Sequence, residues 1–246
     1  MMNEGVADYA IVTSYPYDWE RLAQITDQLK WDYAKQHGYH FYADCSNLHG
    51  PAGARTPTPG VTVPLIGFIK MDLLLHFLPQ YKAVVWMDAD LLITNRDIPL
   101  EYWLNRHPDK DIIVGEDWNG FNSTVIFARN TTLARDYLWA SNNTGRGFYA
   151  GDPWHEMTAL RNFWLDHRYY DKIGFESVRD LCPLLPAEYE PYVPREMSDA
   201  FAWEPGAWTL HLSALNYHRR VRIAEHYADH AHHHLPPPPG PDAENP

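Results

Sequence analysis

Basic residues are scarce in this sequence. Its 246 residues contain 20 lysines and arginines but 32 aspartates and glutamates, which gives a formal net charge of −12. Nucleic-acid phosphates and anionic membrane surfaces both attract clusters of basic side chains. The charge balance therefore argues against nucleic acid as a partner, and against a bare anionic membrane surface.

Long apolar runs are also missing. A helix that spans a bilayer needs about 20 consecutive apolar residues, and no segment of the chain approaches that length. Near the N-terminus the apolar run is Tyr9–Val12, which is much shorter than the core of a secretory signal. We therefore expect a cytoplasmic protein without a signal peptide or a membrane span.

Cysteine is rare as well. Cys45 and Cys182 show no spacing typical of a metal motif, and two cysteines do not make a disulfide framework. Hydrophobic residues make up 45% of the chain, which is ordinary for a globular protein with one large core. We predict a single domain over residues 1–229 and a disordered His/Pro-rich tail over residues 230–246.

Strand and helix patterns alternate along this domain. Tyr9–Ser14 is typical of a buried strand, and an apolar stripe predicts a helix after Asp18 that Gly38 closes. Tyr39–Ala43 then gives a second strand, so the start of the chain is a βαβ unit with a parallel strand pair. Further strands are predicted at 84–87, 111–115, 121–130 and 207–211. Further helices are predicted at 68–78, from 131 or 132 to 139, at 153–165 and at 216–228. Loops or irregular segments are predicted at 45–63, 142–152 and 170–205.

Two carboxylates follow the most apolar of these strands. Val84–Met87 is a continuous apolar run of a kind found in central strands, and Asp88 and Asp90 come directly after it. Burying both carboxylates costs several kcal/mol unless a positive group lies between them. Carboxylate oxygens are ligands for magnesium, manganese or calcium, and the carboxyl ends of strands are where α/β proteins bind ligands. The alternative is that Asp88 caps a turn and Asp90 caps a helix.

Other polar residues lie at predicted strand ends. His211 ends the strand at 207–211 and can add an imidazole to a metal site, although a core histidine is the alternative. Thr13, Ser14 and Tyr15 end the first strand, where they can hold a base or form a simple turn. Asn122 opens the strand at 121–130 and can bond a sugar, or form a local turn with its own backbone.

Charged residues also occur near the starts of two predicted helices. Lys70 lies in the first turn of the helix at 68–78 and can add positive charge to a diphosphate site. His155 and Glu156 begin a later helix, where the helix dipole alone explains an acidic group. Glu156 becomes a functional candidate if the fold directs its carboxylate toward the cation.

Several of these segments together resemble a known family. Phe68–Lys70 with Trp86–Asn95, followed by Asn122–Asn130, is similar to the α-galactosyl- and α-mannosyltransferases of the yeast Golgi and the plant xyloglucan α-xylosyltransferases; weaker similarity continues through His155–Leu160 and Trp208–Leu212. The resemblance covers roughly residues 8 to 215. It implies a GT-A fold, a three-layer α/β/α sandwich with a mostly parallel central sheet. It also implies manganese-dependent transfer of a hexose or pentose from a nucleotide-diphosphate sugar to a glycan or other hydroxyl acceptor, with retention of configuration.

The resemblance assigns roles to single residues. Asp88 and Asp90, with Ala89 between them, match the metal- and diphosphate-binding motif, and His211 matches a late metal ligand. The implied cofactors are Mn²⁺ or Mg²⁺ and a nucleotide sugar, with a UDP-sugar preferred over a GDP-sugar. Thr13, Ser14, Tyr15 and Lys70 complete the expected donor-binding set.

The expected catalytic set consists of Asn122, His155 and Glu156. Asn122 matches the residue that opens the donor-sugar segment, and Glu156 matches an acidic residue near the reacting carbon. The chain departs from the family where Thr124 replaces a glycine and Met157 replaces a glutamine. Two alternatives therefore stay open, an inactive carbohydrate- or nucleotide-binding module and a nucleotide-sugar hydrolase.

Overall fold

The computed structural model describes residues 7–15, 17–44, 67–149, 151–185, 199–213 and 215–228. The predicted loop at 45–63 and the predicted tail at 230–246 lie outside these residues. The strands are β1 (Tyr9–Ser14), β2 (His40–Asp44), β3 (Ala83–Met87), β4 (Leu91–Ile93), β5 (Ile112–Asp117), β6 (Gly120–Arg129), β7 (Ile173–Ser177) and β8 (Thr209–His211). The helices are α1 (Glu20–His37), α2 (Ile69–Phe77), α3 (Leu100–Arg106), α4 (Thr132–Tyr149), α5 (His155–Trp164), α6 (Val178–Leu181) and α7 (Tyr217–Ala228). In the part of the chain that the structure describes, no helix combines the length and the apolarity needed to cross a membrane.

Six of the strands form one central sheet in the order β2-β1-β3-β6-β5-β7. β6 runs antiparallel to both neighbours, whereas the other pairs are parallel. In the middle of the sheet, Ile11 of β1 lies opposite Phe41 on one side and Val85 on the other. The predicted βαβ unit and the predicted mostly parallel α/β sheet are confirmed.

Hydrophobic side chains cover both faces of this sheet. Every residue of β3 is buried, as a continuous apolar run predicts for a central strand. Successive side chains of a strand point to opposite faces, so Val84 and Trp86 join one core while Val85 and Met87 join the other. The first core includes residues of α2, α4 and α5, and the second includes residues of α3 and α6. The result is a three-layer sandwich.

β4 and β8 form a separate two-stranded antiparallel ribbon. Leu91 lies opposite His211, and Ile93 lies opposite Thr209. This register brings a late segment of the chain beside the turn that follows β3. Leu92 and Leu210 of the ribbon pack in a third core with residues of α1 and α7.

The sequence predicts the C-terminal end of α1 correctly but not the capping of its N-terminus. Gly38 ends the helix with a left-handed φ of 74°, and its N–H donates to the Ala34 carbonyl, as the sequence predicts. At the other end, α1 starts at Glu20 after a 3₁₀ turn, and Trp19 occupies the capping position without a side-chain cap bond. The expected cap by Asp18 is therefore not formed.

The loop predicted at 142–152 is wrong, because α4 continues as a helix to Tyr149. Asn142 and Arg146 both donate hydrogen bonds to Asp72 of α2. Gly145 lets α5 approach closely, since a Cβ atom at that position would lie 2.5 Å from Ala159 Cβ. These tertiary contacts stabilise a helix whose asparagines and glycines favour loops locally.

The irregular segment predicted at 170–205 is wrong in its first part, where β7 and α6 form. β7 pairs with β5 at the edge of the sheet. Glu176 is buried in this strand because Arg106 and His107 hydrogen-bond its carboxylate. A buried acidic residue in a five-residue strand conceals the usual apolar pattern.

Candidate metal centre and active site

Side chains of α1 hold the turn that follows β3. The Leu91 N–H donates to the Asp88 carbonyl at 3.2 Å, which closes the turn. The carbonyl of Ala89 points away from solvent and accepts hydrogen bonds from Thr26 Oγ1 at 2.7 Å and Lys30 Nζ at 3.5 Å. The peptide between the two aspartates is thus held by two side chains one helical turn apart.

Asp88, Asp90 and His211 come together at the carboxyl end of β3. Each offers one ligand atom, and these atoms all lie within 4.8 Å of one another. The ribbon register explains the third member, since His211 pairs with Leu91, and the Leu212 N–H donates to the Asp90 carbonyl at 3.0 Å. Two carboxylates and an imidazole fit a divalent cation such as Mn²⁺ or Mg²⁺. We name this group the metal triad.

Asp90 has two basic neighbours. Its Oδ1 lies 3.5 Å from His211 Nε2, and its Oδ2 lies 3.4 Å from Nη1 of Arg220 in α7. Burial raises the pKa of Asp90, but the attraction of His211 and Arg220 outweighs it and holds the pKa below its usual range. Burial lowers the pKa of His211, but the carboxylates of Asp90 and Asp88 raise it by more, so the net change in pKa is upward. The two carboxylates therefore stabilise positive charge on the groups beside them.

Asp88 is less well neutralised. Trp86 Nε1 donates to its Oδ1 at 2.6 Å, and Lys70 Nζ lies 3.3 Å from the same oxygen. Burial raises the pKa of Asp88 and Asp90 adds repulsion, so that the attraction of Lys70 does not restore the ordinary value. A buried carboxylate with a raised pKa gains more than an exposed one from a nearby cation.

Lys70 links the triad to α5. Its Nζ lies 2.9 Å from Glu156 Oε1 and 3.2 Å from Ser123 Oγ, and its side chain is 6% exposed. Ser123 Oγ also donates to Glu156 Oε1 at 3.3 Å. Burial raises the pKa of Glu156, but Lys70 lowers it by more, so Glu156 is ionised. The fold therefore directs Glu156 toward the metal triad through Lys70.

β1 brings the predicted nucleoside-binding residues to the same edge of the sheet. β1 and β3 are parallel neighbours, so Thr13 and Ser14 end beside the turn that carries the aspartates. Both hydroxyl oxygens are buried and lack a hydrogen-bond partner among the described residues. Tyr15 follows them and is half-buried. Buried hydroxyls without a partner are uncommon in native proteins, and a bound polar ligand is one explanation for them.

Asn122 is engaged locally. Its Nδ2 donates to Asp117 Oδ2 at 2.9 Å, and its Oδ1 accepts the Thr124 N–H at 3.0 Å. The local turn that the sequence leaves open for Asn122 is therefore formed, and a contact with a sugar stays a prediction.

His155 begins α5 with a left-handed φ of 40°, and its N–H donates to the Asp152 carbonyl at 3.1 Å. Within the described residues, no hydrogen bond or ion pair joins it to the metal triad. Its catalytic role stays a prediction.

The two departures from the family have different surroundings. Met157 packs against the hydrophobic core formed with α2 and α4. Thr124 lies in the centre of the site, with its Oγ1 3.4 Å from His211 Nδ1 and its carbonyl accepting the Asp88 N–H at 3.0 Å. Only the second of these residues touches the metal triad.

Sequence patterns alone miss Arg220 and Lys30. Arg220 lies in a polar helix where no spacing marks it. Lys30 does leave a signal, because it falls on the buried side of α1 together with Leu22, Thr26 and Tyr33. A lysine in that position requires a partner inside the protein.

Comparison with solved structures identifies proteins that share this fold. A glycosyltransferase involved in the glycosylation of the major capsid of PBCV-1 is similar with a TM-score of 0.64 and 16% sequence identity, covering 88% of this chain and 98% of that protein. The chain has the GT-A fold. The galactosyltransferase LgtC, in complex with donor and acceptor sugar analogues, is similar with a TM-score of 0.57 and 11% identity, covering 90% of this chain and 95% of LgtC.

A third GT-A structure, the apo form of the glycosyltransferase GlyE of Streptococcus pneumoniae TIGR4, gives a TM-score of 0.54 at 11% identity and covers 92% of this chain and 61% of GlyE. No protein-family model matches the sequence, and comparison with curated proteins gives no match. At these identities the likeness concerns the fold.

Proposed function

We propose that this protein is a metal-dependent glycosyltransferase. It moves a hexose or pentose from a nucleotide-diphosphate sugar to a hydroxyl of a glycan or other acceptor. The observation that carries the proposal is the metal triad, with ligand atoms within 4.8 Å of one another at the carboxyl end of β3. In α/β proteins that edge of the sheet is where ligands bind.

The donor set fits Mn²⁺ or Mg²⁺. When bound, such a cation acts as a Lewis acid that stabilises charge on a leaving diphosphate. Two basic side chains of the protein lie at the same place, since Lys70 pairs with Asp88 and Arg220 pairs with Asp90. We propose that both attract the diphosphate of the donor electrostatically.

We propose that Thr13, Ser14 and Tyr15 hold the nucleoside, with uridine preferred to guanosine. The buried hydroxyls of Thr13 and Ser14, which lack partners among the described residues, support a polar ligand at this place but do not choose between the two bases. Two buried hydroxyls can match the edge of a base or the hydroxyls of a ribose.

Glu156 has the role of positioning the donor. Its carboxylate is ionised and paired with Lys70 and Ser123, which makes it a fixed negative charge rather than a free nucleophile. With retention of configuration, the acceptor hydroxyl oxygen bonds to the anomeric carbon on the face that the diphosphate leaves, and the hydroxyl proton passes to the departing diphosphate. The diphosphate takes the bonding electron pair, and no covalent enzyme intermediate is required.

The solved structures support the class of reaction by analogy. The PBCV-1 protein takes part in glycosylating a capsid, and LgtC binds donor and acceptor sugar analogues. We further propose the finer kinship with the yeast and plant retaining transferases, which rests on the sequence segments around Asp88 and Asn122. The cytoplasmic location likewise stays a proposal from the sequence.

A thermal-shift screen tests the donor site. UDP-sugars and GDP-sugars are each added with Mn²⁺, with Mg²⁺ and with chelator. A ligand present at 100 times its dissociation constant stabilises the native state by about 2.7 kcal/mol. We expect UDP-sugars to raise the unfolding temperature only when the metal is present. A folded protein that no donor stabilises under any condition would contradict the proposal.

A turnover assay separates the transferase from the two alternatives. Release of UDP that requires an acceptor marks a transferase, and release without one marks a hydrolase. Binding of the donor without release across a broad acceptor panel marks an inactive module. Asp90→Ala should abolish metal-dependent turnover while circular dichroism shows a folded protein, and unfolding instead would give Asp90 a structural role.

A further inference from the structure

Thr124 joins the two halves of the metal triad. It lies in the part of β6 where the pairing with β5 shifts, since Val114 pairs with Ile126 but Gly115 pairs with Asn122. The Thr124 carbonyl accepts the Asp88 N–H at 3.0 Å, and its hydroxyl lies 3.4 Å from His211 Nδ1. One residue thus touches the strand end that carries the aspartates and the strand end that carries the histidine.

The two ring nitrogens of His211 face different partners. Nε2 lies 3.5 Å from Asp90 Oδ1, on the side of the carboxylates, and Nδ1 faces Thr124 Oγ1. A histidine binds a metal through an unprotonated nitrogen, so the proton must reside on the other nitrogen. The group that accepts a hydrogen bond from that N–H fixes both the tautomer and the orientation of the ring.

We propose that Thr124 is a positioning residue of the metal site. Its hydroxyl oxygen accepts the Nδ1–H of His211 and keeps Nε2 directed at the space shared with Asp88 and Asp90. The inference rests on the proposed metal site and adds a residue to it. It also gives a function to the position where the resembling family has a glycine, which has no hydroxyl.

Burial protects the hydrogen bond between Thr124 and His211 from competition with water. Thr124 is 4% exposed and His211 is 8% exposed, so water has little access to compete for Nδ1. Packing alone does not require a hydroxyl here, because valine has the same branched shape and suits a strand equally well. Thr124→Val therefore removes the hydrogen bond and leaves the volume nearly unchanged.

β8 offers a matched control. Thr209 is fully buried two residues before His211, and its hydroxyl donates to the Leu181 carbonyl at 2.7 Å. Thr209→Val makes the same chemical change on the same strand, but at a hydroxyl that does not face the metal triad. Thr124→Ser restores a hydroxyl at position 124 and tests rescue.

The experiment measures Mn²⁺ binding to the wild type and the three variants, from the electron paramagnetic resonance signal of free Mn²⁺ at fixed pH. Loss of an outer partner of a metal-binding histidine costs about 10- to 100-fold in affinity, and we expect that loss for Thr124→Val. Thr124→Ser and Thr209→Val both keep a hydroxyl beside His211, so their Mn²⁺ affinity should stay close to that of the wild type. Thermal unfolding in chelator should show that all four proteins fold.

Each outcome bears on a separate claim. Equal Mn²⁺ affinity in wild type and Thr124→Val overturns the role of Thr124 and leaves the metal site standing. An equal loss in Thr209→Val also overturns it, because the effect would then come from loosening β8. Failure of the wild type to bind Mn²⁺ overturns the metal site itself, and the role of Thr124 with it.

A second measurement does not depend on a variant folding. Long-range ¹H–¹⁵N correlation of the histidine rings in the Mg²⁺-loaded wild type reports which nitrogen of His211 carries the proton. We expect the proton on Nδ1, in slow exchange with water. A ring protonated on Nε2 would overturn the proposal.

Discussion

The carboxylate of Glu156 occupies the space in which a side chain at position 67 would begin. A Cβ atom on Gly67 would lie 2.0 Å from Glu156 Oε2. Gly67→Ala therefore has to displace Glu156 from Lys70. We expect a loss of about 1–3 kcal/mol in unfolding free energy from overpacking, and a fall in kcat of at least about tenfold. Urea unfolding and donor turnover measure the two effects.

Gly147 provides the control for that change. It lies in α4, where a Cβ atom would meet nothing within 4 Å. Gly147→Ala should keep full activity and raise stability by up to about 1 kcal/mol, because alanine favours a helix over glycine. Equal kinetics for the two alanine variants would show that Glu156 does not need its present position.

Arg220 pairs with Asp90, and we expect it to compete with the proposed cation for that carboxylate. Its Nε also donates to the Leu212 carbonyl at 2.9 Å, and its guanidinium lies 4.6 Å from the ring centre of Trp19. In Arg220→Met we expect a loss of about 1–3 kcal/mol of stability in chelator, because these partners are left unpaired. Mn²⁺ should bind more tightly, on the order of tenfold, since a positive charge near it is gone. Calorimetry with Mn²⁺ alone measures the second effect.

Arg21→Met makes the same charge change without touching the site. Arg21 is exposed and pairs with Glu225 of α7 at 2.6 Å. Its removal should leave both stability and Mn²⁺ affinity nearly unchanged. If the two methionine variants tighten Mn²⁺ binding alike, the effect comes from net charge and not from the contact of Arg220 with Asp90.

Asp27 should make stability depend on pH. Burial raises the pKa of its carboxyl from 3.8 to about 6, with Lys30 pulling in the opposite direction. The native state therefore holds this proton more tightly than the unfolded chain does. The unfolding free energy should fall by up to about 3 kcal/mol as pH rises from about 4 through 6.

Asp27→Asn cannot titrate and should lack this part of the pH profile. Chemical unfolding of both proteins at several pH values between about 4 and 7 gives the comparison. We expect the two curves to diverge as pH rises through this window. Parallel curves would mean that the buried carboxyl has the same proton affinity in the folded and unfolded chain.

Glu176 tests stability far from the chemistry. Its carboxylate is 3% exposed and accepts from Arg106 Nε at 2.6 Å and Nη2 at 3.0 Å, with His107 Nε2 at 2.8 Å. Glu176→Gln keeps the shape but loses the charge-assisted bonds, and we expect a cost of about 1–3 kcal/mol. Mn²⁺ affinity should stay unchanged. A loss of Mn²⁺ affinity would reveal coupling between the sheet edge and the metal triad.

The parts of the fold that could be predicted from the sequence are those decided by local pattern. The apolar run of β3 and the glycine that ends α1 are such features, because burial on both faces and a left-handed cap each leave a mark in a few neighbouring residues. The end of α4 was not predictable in this way. Asn142 and Arg146 are stabilised by Asp72, and the chain gives no sign of that distant partner.

The residues of the site likewise differ in whether local sequence pattern identifies them. Asp88 and Asp90 follow a strand that identifies them, and His211 was predicted from its place at another strand end. Arg220 reaches Asp90 from α7, which packs on α1, and Thr124 faces His211 from the part of β6 where the pairing with β5 shifts. Contacts that depend on such packing have no counterpart in residue spacing.

The pairing of β4 with β8 also means that the metal triad is completed late in synthesis. Asp88 and Asp90 are synthesised more than a hundred residues before His211, and the ribbon that unites them needs both segments. A nascent chain on the ribosome can thus assemble much of the central sheet while its metal triad is still incomplete. The complete triad therefore forms only in chains whose translation has passed β8.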